Sequence, residues 1–148
     1  MVTGVQTCAL PIYRGIEHYT VGQRRGLGVA VNYPVYVQSI DAKNNVVVLA
    51  PNDALNSSAL IADDFVWPGD VEPDGEIDAE VKIRLASKPV KAKIMRYKIE
   101  AGDDFNYKVQ PYLVKFETPQ RAVAPGQSAV LYKDNVIIGG GVIARAIK

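Results

Sequence analysis

Ile77-Asp78-Ala79-Glu80-Val81-Lys82-Ile83-Arg84-Leu85 carries the cleanest alternation in the 148-residue sequence, with apolar side chains at the odd positions and charged ones at the even positions. Successive side chains of a strand point to opposite sides, so a period of two predicts a half-buried β-strand. Val90, Ala92 and Ile94 repeat the alternation after Ser87-Lys88-Pro89. Setting them opposite Leu85, Ile83 and Val81 gives a hairpin register in which apolar residues oppose apolar residues. The same register sets Arg84 opposite Lys91 and Lys82 opposite Lys93. Like charges facing across strands oppose folding by a few tenths of a kcal/mol or more, which makes an external polyanion the natural reason to tolerate them. The phase slips at Ile94-Met95, where a β-bulge is expected.

Downstream, strands are predicted at Phe105 to Val109, Tyr112 to Phe116, Ser128 to Tyr132 and Val136 to Ala144, broken by Pro119, Pro125-Gly126 and Asp134-Asn135. Short strands at this spacing suggest a small closed barrel. Gly139-Gly140-Gly141 inside an apolar strand fits a close backbone crossing better than a ligand contact. Upstream, Tyr33 to Ile40 and Val46 to Leu49 flank the turn residues Asp41 to Asn45 and read as a hairpin, and Pro51 to Ser58 reads as a loop or one short helical turn. A boundary near Ala59 separates a small β-domain, residues 14–58, from a barrel domain, residues 59–148. No stretch has helical amphipathicity long enough for a bundle, so the fold class is all-β.

The composition, 48% hydrophobic and 22% charged, is that of an ordinary globular protein. A net charge of +1 provides no global field for nucleic acid or membrane, so such a partner needs a local patch. The charge is unevenly spread. Asp41 to Glu80 holds ten acids and the single base Lys43, whereas Val81 to Ile99 holds seven bases and no acid. One cysteine, Cys8, and one histidine, His18, cannot build a disulfide framework or a zinc cluster, which fits a reducing cytoplasm. No apolar run approaches the roughly 20 residues that span a bilayer, so no membrane partner is expected.

Residues 1–13 fit no structural period, and Val2 to Ile12 resembles the translation of a sequencing-library adapter, so the segment is expected to be an artefact or an unstructured tail. Three features carry chemistry. Gly22-Gln23-Arg24-Arg25-Gly26-Leu27-Gly28 combines glycines with a cationic pair, which suits a solvated turn or a contact to phosphate. Lys82 to Lys98 is either a solvated sheet face or a polyanion surface. Pro125-Gly126-Gln127 is a structural turn or one that offers the Gln127 amide to a base edge or ribose. The aromatic residues Tyr19, Tyr36, Trp67, Tyr97 and Tyr107 could stack on bases but are read as packing.

Three stretches together resemble the tRNA-uridine 2-sulfurtransferases of the MnmA type: Tyr19-Thr20-Val21-Gly22-Gln23-Arg24-Arg25-Gly26-Leu27-Gly28; Lys82-Ile83-Arg84; and Pro119 to Tyr132 with Gly139-Gly140-Gly141-Val142-Ile143. The resemblance runs from about Arg14 to Ile143. It implies a central β-domain followed by a six-stranded barrel similar to domain 2 of elongation factor Tu, both helping to hold tRNA. In that family ATP activates the C2 oxygen of the wobble uridine, and a cysteine persulfide fed by a sulfur-relay donor protein delivers the sulfur. The Ser-Gly-Gly-x-Asp-Ser loop and the catalytic cysteines are absent from this sequence, so no catalytic residue, metal site or cofactor is assigned to it. The chain is expected to be inactive without the missing N-terminal catalytic domain.

By the resemblance, tRNA contacts fall on Arg84, Leu85 and Gln127, with Gln23, Arg24 and Arg25 added from the glycine-rich motif and Lys82, Lys91 and Lys93 from the basic hairpin. Relatives often carry tyrosine where Leu85 stands, and a histidine where Tyr13 stands. A free-standing translation-factor-like barrel is the alternative reading, and an enzyme using Cys8 as nucleophile a third.

Overall fold

The computed structural model describes residues 2–3, 15–103 and 105–148. Most of the 1–13 segment, Cys8 included, lies outside the described residues. The chain forms two compact units, Met1–Asn56 and Ser57–Lys148.

In the first unit β1 (Val2–Thr3), β2 (Tyr36–Asp41) and β3 (Val46–Ala50) form a sheet in the order β1-β3-β2. β1 runs parallel to β3, and β2 pairs antiparallel with it through a bulge between Val37 and Ser39. The expected hairpin turn is closed by Asp41, whose carboxylate accepts from the Asn44 backbone (3.1 Å) and side-chain amide (2.7 Å), while Asn45 takes a left-handed conformation. Tyr19, Leu27, Val35, Val37, Val47 and Leu49 form the core. A 3-10 turn at Asn52–Leu55 leads out.

The second unit is a closed barrel of β4 (Asn56–Val66), β5 (Ile77–Lys82), β6 (Val90–Arg96), β7 (Tyr112–Arg121), β8 (Ser128–Lys133) and β9 (Val136–Ile147), in the order β4-β7-β6-β5-β8-β9. Its interior is filled by Leu60, Val81, Ile94, Tyr112, Val114, Leu131 and Ile143, each at most 2% exposed. Phe65, Trp67 and Tyr112 pack ring against ring, with centroids 4.7–5.3 Å apart. Closure removes the sheet edges that an open sheet would leave.

The barrel corrects the sequence reading in several places. The β5–β6 hairpin pairs Ile77 with Ile94, Asp78 with Lys93, Ala79 with Ala92, Glu80 with Lys91 and Val81 with Val90. This register also opposes apolar to apolar, and it replaces the expected like-charge pairs with two of opposite sign, which decides the competition. No bulge interrupts β6, whose Ala92 to Arg96 pair continuously with Phe116 to Tyr112. Phe105 to Val109 is irregular rather than a strand, and β7 runs through Pro119, which is exposed and lies beyond the last residue paired with β6. β4 was not expected at all. Ser57 to Asp63 has almost every residue buried, so it shows no alternation.

Gly139, Gly140 and Gly141 allow the expected close approach: a Cβ on them would stand 2.8 Å from the Trp67 ring, 2.9 Å from the Ala129 carbonyl oxygen and 2.7 Å from the Asp63 carbonyl oxygen.

Two buried carboxylates organise the irregular β6–β7 connection. Asp63 accepts from the backbone N–H of Lys108 (2.8 Å) and Val109 (3.3 Å). Asp103 accepts from the hydroxyls of Tyr97 (3.1 Å) and Tyr107 (3.2 Å) and faces Arg145 at 3.5 Å. Burial raises the Asp63 pKa, but the hydrogen bonds from Lys108, Asp64 and Val109 outweigh it and leave it below the usual 3.8. Burial likewise acts against the hydrogen bonds at Asp103, whose net shift is also downward.

A carboxylate with a lowered folded-state pKa stabilises fully above its unfolded value and loses that contribution as pH falls through the folded one. Protection of the Lys108 and Val109 amides from exchange is therefore expected to fall away below pH ~4. Asp63→Asn should blunt this acid dependence. Amides that stay equally protected down to the acid unfolding of the barrel would contradict the assignment.

Candidate nucleic-acid interface

Every observed pairing around the barrel is antiparallel, so β5, β7 and β9 run one way and β4, β6 and β8 the other. The β5–β6 and β7–β8 connections therefore leave from the same end. The β5–β8 register pairs Glu80 with Tyr132, Val81 with Leu131 and Lys82 with Val130. Arg84 and Leu85, which follow β5, and Gln127, which precedes β8, therefore lie at the same end of the barrel, although 42 positions separate Leu85 from Gln127.

This end is basic. Val81 to Val90 supplies Lys82, Arg84 and Lys88, Thr118 to Ser128 supplies Arg121, and neither stretch contains an acid. The opposite end receives the β4–β5 connection, whose Asp70, Glu72, Asp74 and Glu76 have no base among them in sequence, although Arg96 binds Glu72 and Lys93 binds Glu76. Lys88 and Arg121 were not among the expected site residues. The acid-free run from Thr118 to Lys133 was the available signal for Arg121.

Arg84 Nη2 donates to the carbonyl of Arg121 at 3.0 Å and also to that of Ala122. Burial, then the neighbouring Arg121 charge, pushes its pKa below the usual arginine value. Leu85 is 95% exposed at the tip of the turn. Gln127 is exposed; its backbone is fixed by Gln127 N donating to Ala124 O (3.3 Å) and Ile143 N donating to Gln127 O (2.8 Å), and its side chain makes no hydrogen bond with a described residue. Lys82 is half-buried at the end of β5.

Lys91 and Lys93 lie elsewhere and are compensated. Lys91 is opposite Glu80, while Lys93 is opposite Asp78 and binds both Glu76 and Asp78, the latter at 3.6 Å. The hydrogen bond to Glu76 and the Asp78 charge raise the Lys93 pKa. The 860 Å³ groove across these strands sets Asp78, Glu80 and Glu117 beside Lys91, Lys93 and Lys115, so it presents no net positive field to a polyanion.

Gln23, Arg24 and Arg25 belong to the first unit. The Gln23 side chain accepts from Thr20 N (3.0 Å) and donates to Arg25 O (2.9 Å), closing the turn on itself. Arg24 and Arg25 are exposed, and Arg24 sits 6.0 Å from the Tyr36 ring centroid, beside an open hollow of 410 Å³. Tyr19 and Trp67 are buried, and Tyr97 and Tyr107 are held by Asp103, as packing residues would be. Among the described residues there is no cluster of three or more metal-ligating side chains, and no helix is long and apolar enough to cross a membrane.

A family model described as an aminomethyltransferase β-barrel domain matches residues 57–143, most of the second unit, and one described as a tRNA methyl transferase PRC-barrel domain matches residues 5–51. The curated relatives bear another name. The tRNA-specific 2-thiouridylase MnmA of Rickettsia africae is 44% identical over 137 residues, 92% of this chain and 35% of its own length. That of Heliobacterium modesticaldum is 38% identical over 133 residues, 90% of this chain and 32% of its own. The chain belongs to the tRNA-specific 2-thiouridylase family. The Acetivibrio thermocellus 2-thiouridylase, 44% identical over 131 residues, repeats the proportion, with 88% of this chain against 34% of that protein. The chain spans about a third of the length of these 2-thiouridylases.

Proposed function

We propose that this chain is the tRNA-holding part of a tRNA-uridine 2-sulfurtransferase, with the basic end of the barrel as its RNA-facing surface. The observation that carries the reading is that end itself: two connections distant in sequence meet there and bring four bases and no acid. Phosphate oxygens would bind to Lys82, Lys88 and Arg121, an interaction that positions RNA without reading its sequence. The exposed Gln127 amide can both donate to and accept from a base edge or ribose. Arg24 and Arg25 of the first unit would add a second, separate cationic contact. The names of the relatives point to tRNA as the polyanion, and a cytoplasmic setting is part of the same reading.

In this reading the chemistry belongs to a catalytic domain that this sequence does not include. There ATP would activate the uridine C2 oxygen, and a cysteine persulfide, loaded by a sulfur-relay protein, would supply the sulfur. The chain by itself would bind tRNA and form no thiouridine. Titrating it with a tRNA that carries a modifiable wobble uridine, at several salt concentrations, tests this. Neutralising three phosphates gives a log–log slope of about −2 to −3. An affinity that does not respond to salt would sink the proposal, and so would thiouridine formation by the purified chain with ATP and sulfide.

A further inference from the structure

We propose that Arg84 is a positioning residue: its guanidinium braces the β5–β6 turn against the β7–β8 turn and so sets Leu85 and Gln127 as one rigid edge, rather than binding phosphate itself. The proposal rests on the basic end being the RNA-facing surface and changes the role of one of its cations, which family resemblance alone would make a direct contact.

The brace joins two turns that are each closed locally. On the near side, the Arg84 carbonyl accepts from Ser87 N (3.1 Å) and from Ser87 Oγ (2.9 Å), so the turn carrying Leu85 folds back on Arg84. On the far side, Gln127 N donates to Ala124 O (3.3 Å), while Gly126 N and Ile143 O, and Ile143 N and Gln127 O, tie that turn to β9 at 2.8 Å each. Arg84 Nη2 donates to two consecutive carbonyls, Arg121 O and Ala122 O, where the chain leaves β7. Ala122 is 1% exposed with φ 51, a left-handed conformation that a non-glycine residue keeps only when its surroundings fix it. A guanidinium is suited to such a task because its planar fork loses little freedom per bond formed. Leu85, at 95% exposure, adds nothing to the core. What the brace preserves is the position of the tip relative to Gln127, and a preorganised edge binds without a further ordering penalty.

The test uses the 148-residue chain and its Arg84→Ala, Arg84→Lys, Gln127→Ala and Arg84→Ala/Gln127→Ala forms. Amide exchange is read first, with no RNA present. Arg84→Ala should speed exchange at Ser87, Gly126 and Gln127 by about tenfold or more while the strands stay protected. In tRNA titrations Arg84→Ala should weaken binding about tenfold with an unchanged salt slope, and its effect should not add to that of Gln127→Ala. Arg84→Lys keeps the charge without the fork, so it should also weaken binding, and it provides a folded variant if alanine disrupts the barrel.

Unchanged exchange would overturn the brace. So would a salt slope shallower by about 0.9 combined with additive losses and full rescue by lysine, the behaviour of a phosphate contact. If the parent chain fails to bind tRNA, the RNA-facing role falls with the reading of the basic end, and the exchange data still decide whether Arg84 braces the two turns.

Discussion

Gly141→Ala is expected to destabilise the barrel by about 2–3 kcal/mol, at the upper end of what one extra methyl does in a tightly packed site. The added Cβ would stand 2.7 Å from the Asp63 carbonyl oxygen and 2.7 Å from Phe65 Cδ2. A side chain alone could rotate away, but the Asp63 backbone cannot move freely. Its carboxylate is committed to the Lys108 and Val109 amides, and its neighbour Asp64 is already in a left-handed conformation in the irregular pairing between Asp63 and Val66. Phe65 is wedged between Trp67 and Tyr112. Thermal unfolding followed by the fluorescence of Trp67, the only tryptophan, reports on this unit and should show a midpoint lower by about 10 °C or more. Gly75→Ala is the comparison, because that position has φ 76 with nothing within 4 Å, so only the roughly 1–2 kcal/mol of a left-handed alanine is lost. A Gly141→Ala midpoint above that of Gly75→Ala would contradict the close-approach account.

The same crossing shows what the sequence could and could not reveal. β5 and β8 were legible because one face of each meets the core and the other meets solvent, so burial writes a period of two into the residues. β4 was not legible. Ala59 to Asp63 are all buried, with the β6–β7 connection reaching the strand at Asp63, and burial on both faces erases the alternation. The hairpin register failed for a different reason. Two registers satisfy the apolar pattern of Ile77 to Leu85 against Val90 to Ile94, and only the pairing of Glu80 with Lys91 and Asp78 with Lys93 separates them. Lys91 and Lys93 owed their place among the candidates to the other register. Lys91 and Lys93 lie in an acid-free stretch of sequence, yet the acids that neutralise them come from the strand before. That Leu85 and Gln127 share one end of the barrel depends on β5 and β8 being neighbours, a long-range pairing that no local pattern encodes.

Lys82→Glu/Lys88→Glu should therefore lower tRNA affinity by roughly a hundredfold near 0.1 M salt and flatten the salt slope by about 2, because two cations leave the phosphate-facing end and two repulsive charges replace them. Lys91→Gln/Lys93→Gln removes the same number of lysines, from residues that the sequence alone would have ranked equally. Lys93 is already shared between Glu76 and Asp78, and Lys91 stands opposite Glu80, so their loss changes the local field beside acids rather than at the basic end. Their replacement should alter affinity by no more than about threefold and leave stability almost unchanged, as expected for exposed ion pairs. Filter-binding or fluorescence titrations of both pairs against one tRNA, each at three salt concentrations, decide between the two faces. If the Lys91/Lys93 pair instead produces the larger loss and the flatter slope, the RNA lies across the strands of the hairpin. The acids there would then have to be displaced from their lysines on binding, and the basic end would lose its claim to the RNA.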